Sequence, residues 1–97
     1  MTPVIFRKFP DGEIVALMPT EPADVYGYLC LSYQHIGQHG EADYTYVVER
    51  TRPAEHEEYR ALLRELQNVG YDDLRVYDKA LPSFHEQRRA ESRRVTA

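Results

Sequence analysis

With 97 residues, 42% of them hydrophobic and 29% charged, the chain is sized for one domain with a single modest core. Its longest apolar run, Ile14 to Met18, is far short of the roughly 20 residues that cross a bilayer, which excludes a helical membrane span, and its single cysteine excludes an internal disulfide. The net charge of −4 is uneven: residues 1–79 carry eight Lys/Arg against fourteen Asp/Glu and residues 80–97 four Arg against two Glu, and an acidic body opposes the phosphate neutralisation on which nucleic-acid affinity rests.

The first residues show no charged-then-apolar-then-small leader pattern, so a cytoplasmic location is expected. "VIFRKF" and "EIVALM" are β-branched and aromatic runs on either side of "PDG". Pro10 presets φ for a type I turn and Gly12 suits the left-handed position of a bulged hairpin. Residues 19–27, "PTEPADVYG", read as a connecting loop. In "YLCLSY", residues 28–33, Leu29, Leu31 and Tyr33 alternate with Tyr28, Cys30 and Ser32, as in a third strand.

"YTYVVERT", residues 44–51, puts Tyr44, Tyr46 and Val48 on one face of an expected fourth strand. A helix starting at Asp43 competes, because Tyr44, Val47, Val48 and Thr51 also fall at helical spacing. "AEHEEYRALLRELQNVGY" is a clear amphipathic helix: Tyr59, Leu62, Leu63 and Leu66 form its stripe, and Gly70 stands at the left-handed C-terminal cap. "LRVY", residues 74–77, is the expected last strand, reached by a right-handed crossover. Beyond Phe84 the sequence has almost nothing apolar to dock. The expected architecture is therefore α+β over residues 1–80: a mainly antiparallel sheet of four to five strands with one amphipathic helix on one face. Residues 81–97 are expected to be a basic tail, mobile or partly helical.

"YQHIGQHGEADY" and "TRPAEHEEYRALLRELQNVGYDDLRV" together resemble a group of short uncharacterised bacterial proteins, some carried on mobile elements, over roughly residues 3–77. They share the hairpin start, the "QH.GQHG.AD" loop and the "PA..EEY..L..EL...GY" helix. The resemblance implies a stand-alone accessory protein and assigns no activity, cofactor or partner; the basic tail departs from the group's pattern.

Cys30, His35, His39 and Asp43 supply four side chains of types that zinc accepts, but their spacing lacks the paired C-x2-C or helical H-x3-H of specific zinc motifs. The same residues could form a thiol–imidazole pair oriented by Asp43, yet a mid-strand cysteine is poorly placed for catalysis, and the chain is expected not to be an enzyme. No cofactor is expected. Five tyrosines fall between residues 26 and 46, and one helix leaves a sheet face open. Tyr28, Tyr33, Tyr44 and Tyr46, with His35 and His39, are thus candidate contacts for another protein or a second copy of the chain. The expected function is a non-enzymatic protein-interaction module; the alternatives are a metal binder using His35 and His39, and a nucleic-acid-binding accessory protein, which the charge distribution disfavours.

Overall fold

Val4, Ile5 and Phe6 are all buried in the computed structural model, which describes residues 1–34 and 38–96, and so are Val15 to Met18. A strand with one wet face alternates apolar and polar side chains, so unbroken burial means that both faces are covered. These residues form the central hairpin, β1 (Thr2–Lys8) and β2 (Ile14–Pro22). Its turn follows the expected chemistry: the Gly12 amide donates to the Phe9 carbonyl at 2.9 Å, the Phe9 amide donates to Glu13, and Gly12 has φ +96°.

β3 (Cys30–Gln34) pairs antiparallel with β2, with a register irregularity between Met18 and Pro22, and β4 (Gln38–Ala42) pairs antiparallel with β3. Part of the histidine-containing stretch is therefore a strand. On the other side of β1 lie β5 (Arg52–Pro53), antiparallel to it, and β6 (Leu74–Val76), parallel to its first half. The sheet order is β4-β3-β2-β1-β5, with β6 also on β1. Residues 44–50 are helical and β5 and β6 run in opposite directions along β1, so the strand–helix–strand crossover expected from 44–51 to 74–77 is not formed.

The fold is α+β with a mainly antiparallel sheet, but three helices are described where one was expected. α2 (His56–Asn68) is the helix read from the stripe, and Leu62 and Leu66 pack with Val4, Phe6, Ala16, Met18 and Tyr33 on one sheet face. It ends in a Schellman motif: the Tyr71 amide donates to the Leu66 carbonyl, the Gly70 amide to Gln67, and Gly70 has φ +118°. The expected fourth strand at 44–51 is instead α1 (Tyr44–Arg50), capped by Asp43, whose Oδ1 accepts from the Tyr46 amide at 3.1 Å. The cap and the burial of Tyr44 outweigh the β propensity of Tyr, Thr and Val.

The second sheet face is not open. Ile5, Val15, Leu17 and Cys30 meet Tyr44 of α1 and Phe84 of α3 (Ser83–Thr96). Residues 83–96 are thus helical and laid on the sheet. Phe84, Arg88 and Ser92 are buried at successive i, i+4 positions, so the docking that apolar content did not foretell is carried largely by polar side chains.

Removing the Leu66 side chain should test the α2 layer. Leu66→Ala is expected to lower unfolding free energy in urea by about 2 to 5 kcal/mol, whereas Val69→Ala, at an exposed position, should change it by less than about 0.5 kcal/mol.

Candidate functional site

Among the described residues, those read from sequence as a metal or catalytic group do not converge. Cys30 pairs with Ala42 and Tyr33 with His39 across β3 and β4. An odd separation along a strand reverses the side chain, so the thiol and the His39 ring lie on opposite sheet faces. The thiol is buried among Ile5, Leu17, Tyr44 and Phe84; His39 sits edge-on to the Tyr33 ring, centroids 4.7 Å apart. The Asp43 carboxylate caps α1. His35 lies outside the described residues. Among the described residues no cluster of three or more His, Cys, Asp or Glu side chains is placed to hold a metal ion, and no helix is long and apolar enough to cross a membrane.

The tyrosines divide as well. Tyr33 and Tyr44 are core residues, the Tyr44 hydroxyl donating to the Leu81 carbonyl at 3.0 Å. Tyr28 and Tyr46 are exposed, but on a loop and on α1 rather than on a bare sheet face. Tyr46 lies under its own helix neighbour, with the Arg50 guanidinium 3.3 Å from the ring centroid.

What the structure does bring together is the β2–β3 connection and α3. Arg88 is fully buried, and among the described residues its guanidinium is bonded to main-chain carbonyls and a histidine rather than to a carboxylate. Nε donates to the Gly27 carbonyl at 2.8 Å and Nη1 to the Pro19 carbonyl at 2.8 Å, while Nη2 points to the Tyr28 carbonyl at 3.5 Å and contacts His85 Nδ1. Carbonyls that a loop would otherwise leave dry and unpaired are satisfied by one planar fork. One turn on, the Ser92 hydroxyl donates to the Val25 carbonyl. Within the loop, Asp24 Oδ1 accepts from the Leu29 amide at 2.9 Å and the Ala23 amide donates to Leu29.

Gly27 allows this approach for two reasons. Its φ is +73°, and a Cβ there would lie 2.8 Å from Ser92 Cβ and 3.1 Å from the Arg88 carbonyl oxygen. A loop pinned this closely still presents apolar surface outward: Val25 is 67% exposed, Tyr26 69% and Tyr28 52%. The Tyr26 and Tyr28 rings are 6.1 Å apart, and the Arg89 guanidinium lies 4.2 Å from the Tyr28 ring centroid. Arg89 Nε is buried and finds no hydrogen-bond partner among the described residues.

At the opposite end of the sheet, Arg7 performs a similar task for α1. Its Nη2 donates to the Val48 and Thr51 carbonyls at 3.0 and 2.7 Å, and Nε donates to Thr51 Oγ1 at 2.9 Å. Beside it Lys8, Arg52 and Glu58 form an ion cluster. The Arg52 guanidinium, the Glu55 amide and Lys8 together hold the Glu58 carboxyl down to about 2. Open grooves flank this corner, one lined by Glu13, Ile14, Ala61 and Leu62 and the other by Phe9, Pro10, Glu49 and Arg50.

Burial pushes the Cys30 thiol up to about 11, with Arg88 opposing, and burial followed by the neighbouring Cys30 pushes the Tyr44 phenol up to about 12. The thiol is therefore protonated at neutral pH. No family model, curated protein or solved structure matches the chain.

The clamp and the buried acids each have a measurable consequence. Arg88→Met should cost about 3 to 5 kcal/mol in urea unfolding, because buried carbonyls lose their donor; Arg88→Lys should recover only part of it, since one ammonium does not reproduce the fork. A loss below about 1 kcal/mol for Arg88→Met would show the carbonyls to be hydrated and the clamp unnecessary. Stability should also fall as pH rises past the ordinary thiol value near 9 towards the folded value of about 11, because the unfolded chain releases a proton that the folded one retains. In a pH series of unfolding free energies, Cys30→Ala should reduce this alkaline slope.

Proposed function

We propose that the chain is a non-enzymatic, cytoplasmic protein-interaction module that binds through the loop carrying Val25, Tyr26 and Tyr28, with Arg89 of α3 at its border. One observation carries this reading: three neighbouring apolar side chains face water on a loop that a buried arginine, a serine and a close-fitting glycine hold in one conformation. Exposed apolar clusters mark contact surfaces, and holding them in place beforehand reduces the entropy lost on binding. Tyrosine suits the role, with large contact area and a polar tip at the cost of two torsions.

The partner that fits this surface is a protein with an apolar pocket bordered by a carboxylate, since the Arg89 guanidinium lies over the Tyr28 ring at the edge of the exposed cluster. The non-enzymatic reading is supported by the separation of Cys30 from His39 on opposite sheet faces and by the high pKa of the thiol. The resemblance to short accessory proteins of mobile elements is compatible with such a role.

The test compares the parent with Tyr26→Ser/Tyr28→Ser. Both rings are exposed, so the melting temperature should hold, while affinity for a partner captured by the parent should fall at least about tenfold, as expected when two aromatic anchors are removed. Undiminished binding by a folded double variant would remove this loop from the interface.

A further inference from the structure

The two edges of the sheet are treated very differently. On the β1 side the edge is broken into β5, two residues long and containing Pro53, and β6, three residues long with Arg75 exposed at its centre. Short strands, proline and outward cations are the usual ways of stopping edge-to-edge pairing. The other edge is β4, "QHGEA", five residues paired in unbroken register with β3 and carrying neither proline nor lysine. Among the described residues nothing pairs with its outer side, and His39, Gly40 and Glu41 are exposed.

We propose that β4 pairs antiparallel with β4 of a second copy of this chain, joining two sheets across a two-fold axis at Gly40. A two-fold axis perpendicular to the sheet keeps each side chain on its own face, so the axis must pass through a residue position. Charge selects which one. Centred on Glu41, the strands would set two carboxylates directly opposite each other, which is unfavourable. Centred on His39, they would set imidazole against imidazole and move both carboxylates away.

Centred on Gly40, every residue of β4 has a partner on the other copy, and Glu41 of each faces His39 of the other. Two symmetry-related carboxylate–imidazole pairs result, both on the sheet face that bears Tyr33 and Leu31, the β3 neighbours of His39 and Glu41. The residue on the axis is the one without a side chain, so the strands meet without obstruction. Gly40 also suits its own sheet, where a Cβ would come within 3.2 Å of Ser32 Oγ. The contact uses none of the residues Val25, Tyr26 and Tyr28.

Sedimentation equilibrium of the full chain over a wide concentration range tests this pairing. The parent should form dimers; Glu41→Gln should weaken dimerisation and Glu41→Lys should weaken it further, by at least about fivefold, since both cross-strand pairs lose the carboxylate that accepts from the imidazole and gain an ammonium in its place. Glu41 is exposed, so both variants should retain the parent's circular dichroism. His39→Glu alone should also dissociate, and an equimolar mixture of His39→Glu with Glu41→Lys should re-form dimers, because in that heterodimer the introduced lysine faces the introduced glutamate. A parent that is monomeric throughout, a Glu41→Lys variant that associates as tightly as the parent, or folded single variants that do not recover on mixing would each overturn the proposal. The graded Glu41 series decides the matter even if His39→Glu fails to fold.

Discussion

A buried guanidinium bonded to main-chain carbonyls holds one end of this molecule together. Arg88 reaches from the middle of α3 to Pro19 at the irregular end of β2 and to Gly27 in the following loop. A charge removed from water needs its hydrogen bonds replaced nearly completely, and the arginine fork does so with oxygens that the loop itself would leave unpaired. Helix, strand end and loop are thereby made mutually dependent. The loop keeps its shape because α3 is present, and α3 stays docked because the loop offers carbonyls in the right places.

The two faces of the sheet are consequently built on different principles. On the α2 face, leucines fit against Val4, Phe6 and Met18, and Tyr59 stacks on Phe6 with centroids 4.3 Å apart; this is ordinary apolar packing. On the other face the apolar contribution of the helices rests mainly on Tyr44 and Phe84, and each helix is fastened by one arginine. Arg7 takes the terminal carbonyls of α1, where the helix dipole favours a cation. Arg88 takes the loop beneath α3. Directional hydrogen bonds fix orientation more tightly than apolar contact does, which suits a face whose outer rim presents exposed tyrosines.

Much of this was legible in the sequence, and the misreadings have physical causes. The β1–β2 turn and α2 could be read because their signals are local: Pro10 and Gly12 for the first, the leucine stripe and Gly70 for the second. Tyr44 to Arg50 was ambiguous because Tyr, Thr and Val favour strands by packing, whereas the Asp43 cap and the burial of Tyr44 favoured the helix. The covered second face had a signal that one-helix reasoning overlooked: "VIF" and "IVALM" do not alternate. In α3, Phe84, Arg88 and Ser92 do form a stripe at helical spacing, but hydropathy registers the arginine and serine as surface. Nothing local announces that an arginine will find three carbonyls, since these lie 60 or more residues away. The exposure of Tyr26 and Tyr28 depends on the same long-range contact.

The position of β1 has a kinetic consequence. Its pairing with β2 closes only a tight turn, and β3 and β4 are only three residues apart in the chain, whereas its other edge waits for β5 and β6, about 45 and 70 residues further along, and closing loops of that length costs more chain entropy. The hairpins therefore form early and the outer edge of β1 is covered late. During that interval Val4 to Arg7 present an unpaired, largely apolar strand to neighbouring chains, so the segment that becomes the middle of the native sheet is also the one most open to misassembly while the protein folds.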